Sequence, residues 1–228
     1  MPRSSPRPRA VPINGKPRLS NPLTIAPGVS LLREKFSPLQ QQALLKDVLE
    51  RLKLAPLYRP VMPGTGKPFS VEESSFGALG WVADKTGYRY QPTHPVTGKA
   101  WPAIPPALLT LWREINDGPA PESCLVNFYG AGARMGLHQD RDEKDTSAAV
   151  IGISLGDTAL FRIGGQFIDG KWGRGGKTVS VSLASGDVIV FGGPARLAYH
   201  GIDRIKPGTS RLLLGGGRLS LTLRRVTV

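Results

Sequence analysis

The sequence predicts an α+β fold that is mainly β, with N-terminal helices preceding a β-sandwich or jelly roll. Glycine and proline are abundant, with 28 and 21 residues among 228, which favours a turn-rich β fold over a helical bundle. After Pro121, short apolar segments recur between glycine turns, a spacing typical of sandwiches and jelly rolls. Hydrophobic residues make up 40% and charged residues 21% of the chain, as in globular proteins.

Changes in composition divide the chain into three regions. Residues 1–20 contain no acidic residue and many prolines, so we expect a disordered basic arm. An organelle transit peptide would also be rich in arginine, but the prolines oppose its amphipathic helix, and no apolar stretch of a secretory signal is present. Residues 21–120 hold the helices and long glycine-rich loops, and residues 121–228 form the β core.

The first helix is predicted from a complete set of N-terminal signals. Ser37 can cap it, Pro38 fits its first position and Gln40 completes a capping box. Pro56 ends the run, and a second helix is predicted over residues 106–116. The apolar positions expected to face the core in the first helix are Leu39, Ala43, Leu44, Val48, Leu49 and Leu52.

The β core is predicted as a series of short strands separated by glycine turns. Residues 178–183 alternate most clearly, and Ser185-Gly186 leads from them into the next strand. Between residues 57 and 102 the periodicity is weak, so we expect long loops with short strands there. The predicted strands are residues 124–129, 148–155, 159–163, 178–183, 188–191, 211–214 and 218–226.

The charge of the chain favours a polyanionic partner. The formal net charge is +13, and without the six basic residues before Glu34 the remaining 24 lysines and arginines against 17 acidic residues still leave +7. Such an excess favours nucleic acid, with a basic soluble enzyme as the alternative. The single cysteine, Cys124, excludes an internal disulfide and favours a reducing compartment. No segment is apolar over the length of a membrane span, so we expect no membrane partner.

Two of the three histidines lie in a pattern typical of a metal site. His138 and Asp140 are two residues apart, so on an extended segment their side chains point to the same side. His200 follows a strand and a glycine turn, and a jelly roll can bring such distant strands together. Two histidines and one carboxylate form the facial triad of non-haem Fe(II) oxygenases. A His-x-Asp pair by itself is common by chance, so the surrounding residues decide the interpretation.

The last predicted strand carries polar side chains on one face. Arg218, Ser220, Thr222 and Arg224 alternate along it and therefore point the same way. Two arginines on one face could pair with a dicarboxylate co-substrate. The alternative is a solvated edge strand whose charges protect against aggregation.

With these residues the chain resembles the AlkB family of Fe(II)- and 2-oxoglutarate-dependent dioxygenases, especially its bacterial members. The resemblance covers residues 80–225 and rests on the order and spacing of several short motifs. These motifs are Leu79-Gly80-Trp81, Gly87-Tyr88-Arg89-Tyr90, Trp101-Pro102, Cys124-Leu125-Val126-Asn127-Phe128-Tyr129, Leu137-His138-Gln139-Asp140-Arg141-Asp142, Ser154-Leu155-Gly156, Ser185-Gly186-Asp187 and Tyr199-His200-Gly201.

The resemblance implies a double-stranded β-helix (jelly roll) in residues 121–228, preceded by a nucleotide-recognition lid within residues 21–120. It implies oxidative demethylation of bases such as 1-methyladenine and 3-methylcytosine, with one Fe(II) per chain, 2-oxoglutarate and O2. It also implies a monomer of the bacterial cytoplasm acting on single-stranded or damaged DNA, with RNA as the alternative. By resemblance His138, Asp140 and His200 bind iron and form the catalytic centre, Asn127, Phe128, Tyr129, Arg218, Ser220 and Arg224 contact 2-oxoglutarate, and Trp81, Tyr88, Arg89, Tyr90 and Asp142 contact the substrate.

Two departures from the family pattern bear on specificity. Ser220 stands where the family usually has asparagine, and serine donates a single hydrogen bond over a shorter reach. Residues 166–176 form a rebuilt loop rich in glycine, in which Arg174 and Lys171 are candidates for the family's substrate-facing arginine. Two other classes stay open: an inactive relative that binds nucleic acid, and a dioxygenase of this fold acting on protein or small molecules.

Overall fold

The structure is a computed structural model that describes residues 22–168 and 171–228. The basic arm predicted over residues 1–20 lies outside the described residues. The described part of the chain contains two α-helices, one short 3-10 helix (Gly193–Ala195) and thirteen strands. The helices are α1 (Pro38–Leu54) and α2 (Pro106–Ile115), and the strands are β1 (Leu23–Ala26), β2 (Val29–Leu32), β3 (Glu72–Gly77), β4 (Gly80–Asp84), β5 (Gly87–Gln91), β6 (Ser123–Tyr129), β7 (Met135–His138), β8 (Val150–Gly156), β9 (Thr158–Ile168), β10 (Lys171–Leu183), β11 (Val188–Phe191), β12 (Tyr199–Lys206) and β13 (Arg218–Arg224).

Two antiparallel sheets pack face to face, and β4 and β5 form a separate hairpin. The larger sheet has the strand order β1-β2-β11-β8-β13-β6-β3, and the smaller sheet has the order β10-β9-β12-β7. One apolar cluster joins the facing surfaces, with Val150 and Ile189 from the larger sheet and Phe161 and Ile202 from the smaller. This arrangement confirms the predicted mainly β jelly roll.

The two helices pack on the other face of the larger sheet and form a second apolar cluster with it. Leu45 and Val48 of α1 and Leu111 and Trp112 of α2 are buried there together with Ile153 of β8. The helices therefore support the sheet from behind and leave its inner face to the sandwich. Neither helix has the length and apolarity that a bilayer crossing requires, among the residues described.

Helix α1 begins with the capping box that the sequence predicts. Ser37 Oγ accepts a hydrogen bond from the Gln40 amide at 3.3 Å, and Gln40 Oε1 accepts one from the Ser37 amide at 2.9 Å. The predicted apolar face is wrong in part, because Leu39 and Leu49 are 76% and 46% exposed and Ala43 is exposed as well. Gln41 is buried instead. Helical periodicity predicts that the helix has an apolar face, but contact with the neighbouring sheet determines which residues lie at the centre of that face.

Two segments differ from the prediction. Residues 211–214 form bends and a turn rather than a strand, because the glycines that follow allow the Gly216 amide to donate back to the Leu213 carbonyl at 2.9 Å. Within the segment 166–176, predicted as a loop, residues 166–168 and 171–176 instead belong to β9 and β10, whose register is irregular between Gly173 and Thr178. Glycines at that irregularity let the two strands bend without losing their pairing.

Candidate active site

A cavity of about 570 Å³ lies between the two sheets and reaches the β4–β5 hairpin. Strands β6 and β13 form much of its wall, because alternate side chains of a strand point to the same side. The polar face predicted for the last strand is thus confirmed as part of this cavity. Its lining from these two strands consists of Leu125, Asn127, Tyr129, Arg218, Ser220, Thr222 and Arg224.

Strands β7 and β12 bring the two predicted metal-binding histidines together. His138 ends β7 and is the register partner of His200 on β12, and their ring centroids are 4.5 Å apart. Gly201 permits this approach, since a Cβ atom there would lie 2.5 Å from the Met135 carbonyl oxygen. Asp140 follows β7 directly, and the candidate ligand atoms of the three residues lie within 4.8 Å of one another.

Main-chain hydrogen bonds fix which imidazole nitrogen faces the carboxylate. Nδ1 of His138 lies 3.0 Å from a main-chain carbonyl oxygen, and Nδ1 of His200 lies 3.1 Å from another. Because a carbonyl oxygen only accepts, the neutral form of each imidazole carries its proton on Nδ1 and offers a lone pair at Nε2. Each Nε2 lies 3.7 Å from an Asp140 oxygen. Two imidazole nitrogens and a carboxylate fit a divalent transition metal such as iron.

The charges around Asp140 favour its ionised form. Its carboxylate forms a salt bridge with Arg224 at 2.8 Å, and its main-chain carbonyl accepts a hydrogen bond from Arg196 at 2.7 Å. Burial by itself raises the pKa of Asp140, but Arg224 and the two imidazoles outweigh burial and hold the pKa below its usual value. Burial lowers the pKa of His200 to about 4, so this imidazole is neutral at physiological pH.

The first residue of β13 is a buried arginine with incomplete hydrogen bonding. Arg218 is 2% exposed and donates from Nη2 to Ser154 Oγ at 2.8 Å. Its Nε and Nη1 atoms have no hydrogen-bond partner among the described residues, and neither has Asn127 Oδ1 on the adjacent strand. Burial lowers the pKa of Arg218 to about 10, so it remains a cation at neutral pH. A buried cation with unpartnered donors is suited to an anionic ligand.

One of the predicted co-substrate contacts is misplaced. Asn127, Tyr129 and Ser220 line the cavity, as the prediction requires. Phe128 lies on the other face of β6 and lines a separate small cavity with Gly217, so its predicted contact with 2-oxoglutarate is wrong. The alternation of side chains along a strand forces this outcome, because Asn127 and Tyr129 cannot face the cavity together with the residue between them.

A buried acid, Glu143, joins the metal-site carboxylate to the β4–β5 hairpin. It accepts hydrogen bonds from the Tyr90 hydroxyl and, at 3.2 Å, from Arg196 Nη2, and it lies 3.4 Å from Arg224 Nε. Among the described residues, Arg224 is therefore paired with other side chains of the protein. Tyr90, predicted to contact substrate, is part of this network. The sequence analysis missed Glu143 and Arg196, because a charged residue in a loop gives no sign of burial.

The β4–β5 hairpin places an aromatic pair at the mouth of the cavity. Trp81 and Tyr88 stack with 5.4 Å between ring centroids and 17° between ring planes, and Trp81 Nε1 donates to Asp142 Oδ2 at 2.7 Å. Three of the predicted substrate contacts thus lie together. Flat aromatic faces beside a carboxylate are suited to a planar ring that carries hydrogen-bond donors.

Two predicted substrate contacts are not part of this group. Arg89 lies between Tyr88 and Tyr90 on β5, so it points to the other face of the hairpin, where it forms a salt bridge with Asp84 at 2.8 Å. Its predicted contact with substrate would have to be made from that other face, and it stays a prediction. The side chain of Arg174 lies outside the described residues, and its role stays a prediction.

Comparisons with known proteins agree with this site. The sequence pattern of the 2OG-Fe(II) oxygenase superfamily matches residues 28–224. The chain is 51% identical over 220 residues to an alpha-ketoglutarate-dependent dioxygenase AlkB homolog of Caulobacter vibrioides, covering 95% of this chain and 96% of that protein. It is 35% identical to the alpha-ketoglutarate-dependent dioxygenase AlkB of Escherichia coli, covering 88% of this chain and 91% of that protein. The solved structure of OsALKBH1 matches with a TM-score of 0.71 at 31% identity, covering 90% of this chain and 99% of that one.

Proposed function

The chain belongs to the AlkB family of Fe(II)- and 2-oxoglutarate-dependent dioxygenases, and we propose that it demethylates bases of the 1-methyladenine and 3-methylcytosine type in DNA, with RNA as the alternative polymer. As a member of this family it uses Fe(II), 2-oxoglutarate and O2. The proposed reaction releases formaldehyde, restores the base and so repairs alkylation damage. We expect the protein to act as a monomer in the bacterial cytoplasm.

One observation carries this proposal: a single cavity joins the His-Asp-His group to an aromatic surface at its mouth. His138, Asp140 and His200 line its inner part, while Trp81 and Tyr88 line its outer part. The volume of about 570 Å³ lies within the usual range for small-ligand sites. A base held at the aromatic surface can therefore face the metal site within the same space.

The inner residues would hold the iron and fix its surroundings. Nε2 of His138, Nε2 of His200 and the Asp140 carboxylate are the ligands. When bound, iron together with 2-oxoglutarate and O2 supplies the oxidation that converts an N-methyl group into formaldehyde. Arg224 keeps Asp140 ionised and oriented through its salt bridge at 2.8 Å, and the main-chain carbonyls keep each Nε2 directed inward.

The co-substrate would lie between the metal site and Arg218. The unpartnered Nε and Nη1 atoms of Arg218 can donate to a 2-oxoglutarate carboxylate, which is the anionic group that this buried cation lacks. Asn127, Tyr129 and Ser220 line the same part of the cavity and would add polar contacts. The buried position keeps water from the charge pair and so strengthens it.

The substrate base would enter at the aromatic mouth. A base inside a duplex cannot reach the metal site and must be flipped out, which costs least for a single strand or a damaged pair. Trp81 and Tyr88 offer the stacking surface, and Asp142 can accept a hydrogen bond from an exocyclic amino group. The net charge of +13 supports binding to the phosphate backbone.

The experiment is a turnover panel of oligonucleotides that each carry one methylated base, as single-stranded DNA, duplex DNA or RNA. Formaldehyde and succinate are measured together. We expect equal amounts of both from 1-methyladenine and 3-methylcytosine in single-stranded DNA, and no formaldehyde from unmethylated controls. If no oligonucleotide stimulates succinate formation, the proposal is overturned, and stimulation by a peptide or metabolite would point to the other class of dioxygenase.

A further inference from the structure

A buried acid in the cavity wall has no partner for one of its oxygens. Glu73 on β3 is 1% exposed and lines the cavity, and its Oε2 has no hydrogen-bond partner within residues 22–168 and 171–228. Its main chain is fixed by hydrogen bonds in both directions with Tyr58, at 2.7 and 2.9 Å. Because an unpartnered buried carboxyl group is unfavourable, its persistence at a cavity wall points to a ligand.

The position of Glu73 assigns it to the substrate side of the cavity. The larger sheet ends in the order β8-β13-β6-β3, so Glu73 on the edge strand is separated from Arg218 on β13 by the whole of β6. Glu73 is the register partner of Asn127 on β6. Strand β3 also leads through a short connection into β4, which carries Trp81. Glu73 thus lies on the side of Asn127 that is away from Arg218, on the edge strand that leads to the hairpin.

The groups around Glu73 leave its charge without a counter-ion of its own. Arg224 is the cation that acts on it, and Arg224 is already held by Asp140 at 2.8 Å and by Glu143 at 3.4 Å. The other polar side chains near it, Tyr58, Tyr129 and Asn127, are uncharged at neutral pH. Burial raises the pKa of Glu73 to about 8, with partial relief from Arg224, so this carboxyl group is mostly protonated at neutral pH until a cation beside it favours the ionised form.

We propose that Glu73 is the residue by which this cavity distinguishes a cationic methylated base from a neutral one. This inference rests on the proposed function, since it takes a methylated base as the substrate. Adenine methylated at N1 is a cation at neutral pH, whereas guanine methylated at N1 is neutral because the methyl group replaces a ring proton. The cation supplies Glu73 with the counter-charge and the amino donor that its surroundings lack.

Glu73 is better placed for this discrimination than Asp142 at the cavity mouth. Asp142 is exposed and already accepts a hydrogen bond from Trp81 Nε1 at 2.7 Å, so water and salt screen its charge. Glu73, once ionised beside a bound cation, acts inside a low-dielectric wall, where attraction to that cation is stronger. We therefore assign stacking and orientation to the mouth, and charge selection to Glu73.

The test compares Glu73→Gln with Glu72→Gln. Both substitutions remove one carboxylate from adjacent positions of β3, but Glu72 points away from the cavity and pairs with Arg59 at 2.6 Å. Affinity is measured by fluorescence anisotropy without iron, for single-stranded DNA carrying 1-methyladenine or 1-methylguanine at one position. We expect Glu73→Gln to weaken binding of 1-methyladenine about tenfold and of 1-methylguanine less than about twofold, since a charge-assisted hydrogen bond becomes a neutral one. Glu72→Gln should change neither.

The results separate a recognition role from a structural one. Equal weakening of both oligonucleotides by Glu73→Gln, or no weakening of either, overturns the inference. Thermal unfolding monitors the fold, and Glu73→Asp, which keeps the charge, should retain a preference for 1-methyladenine. Formaldehyde from 1-methyladenine by the parent enzyme, combined with an unchanged preference in Glu73→Gln, would overturn the role of Glu73 alone. No formaldehyde from any methylated oligonucleotide would overturn the proposed function itself.

Discussion

The two ends of the cavity differ in how firmly their side chains are held. At the inner end Asp140, His200 and Arg218 are 7%, 6% and 2% exposed, and each is positioned by a hydrogen bond or a salt bridge. At the mouth Trp81 and Tyr88 stand on a two-stranded hairpin, and Tyr88 is 47% exposed. Buried charges act strongly but tolerate little displacement, whereas an exposed aromatic surface binds through contact area. We therefore expect substitutions at the inner end to abolish turnover, and substitutions at the mouth to change the affinity for substrate.

Loss of a metal ligand is the largest expected effect. His138→Ala should abolish succinate formation, because two of the three candidate ligands cannot hold iron in the required geometry. Iron content per chain and succinate release measure this directly. Thermal unfolding should stay close to that of the parent, since the His138 side chain is 37% exposed. A variant that retains iron and near-normal turnover would show that the triad is wrongly assigned.

Arg218→Ala should raise the 2-oxoglutarate concentration needed for half-maximal turnover by roughly thirty- to three-thousand-fold. Removing one partner of a buried charge pair costs about 2–5 kcal/mol, and 1.4 kcal/mol is a factor of ten. Arg218→Lys should recover part of the loss, because it keeps the charge but has fewer directed donors. Arg113→Ala, on the exposed side of α2, is the matched control. An unchanged 2-oxoglutarate requirement would refute the assignment of the anion pocket.

Trp81→Ala should weaken capture of methylated single-stranded DNA by about five- to a hundredfold, since base stacking on an aromatic ring contributes roughly 1–3 kcal/mol. Uncoupled succinate formation without substrate should change little, because the Trp81 side chain is not among the partners of Arg218 or of the three candidate metal ligands. Trp81→Phe keeps a ring but loses the Nε1 hydrogen bond to Asp142, so it separates stacking from the polar contact. If Trp81→Ala keeps the parent affinity and the parent ratio of formaldehyde to succinate, the lid assignment fails.

The sequence predicted the inner end of the cavity better than the mouth. Strand alternation and the His-x-Asp spacing are local patterns, so His138, Asp140 and the row from Arg218 to Arg224 could be read directly from the order of residues. The helix start at Ser37 was predictable for the same reason, because a capping box is complete within four residues.

What the sequence did not predict depends on contacts between distant segments. Glu143 and Glu73 differ from exposed acids only through the strands and arginines that bury them. The residues next to them in the sequence give no indication of this burial. Phe128 was misassigned because a motif names consecutive residues, whereas a strand sends alternate residues to opposite faces. The bends at residues 211–214 were missed since a short apolar run packs equally well without a strand.

The smallest expected effect is at Ser220, which lines the cavity between Arg218 and Arg224 on β13. One hydrogen bond contributes about 0.5–1.5 kcal/mol, so Ser220→Ala should raise the 2-oxoglutarate requirement by roughly two- to tenfold. The affinity for methylated DNA should stay the same, because β6 lies between this strand and the edge strand that carries Glu73. Ser180→Ala, at an exposed position of β10, controls for the loss of a hydroxyl group. A change in DNA affinity with an unchanged 2-oxoglutarate requirement would reverse the assignment of the two ends, since Ser220 would then face the base rather than the co-substrate.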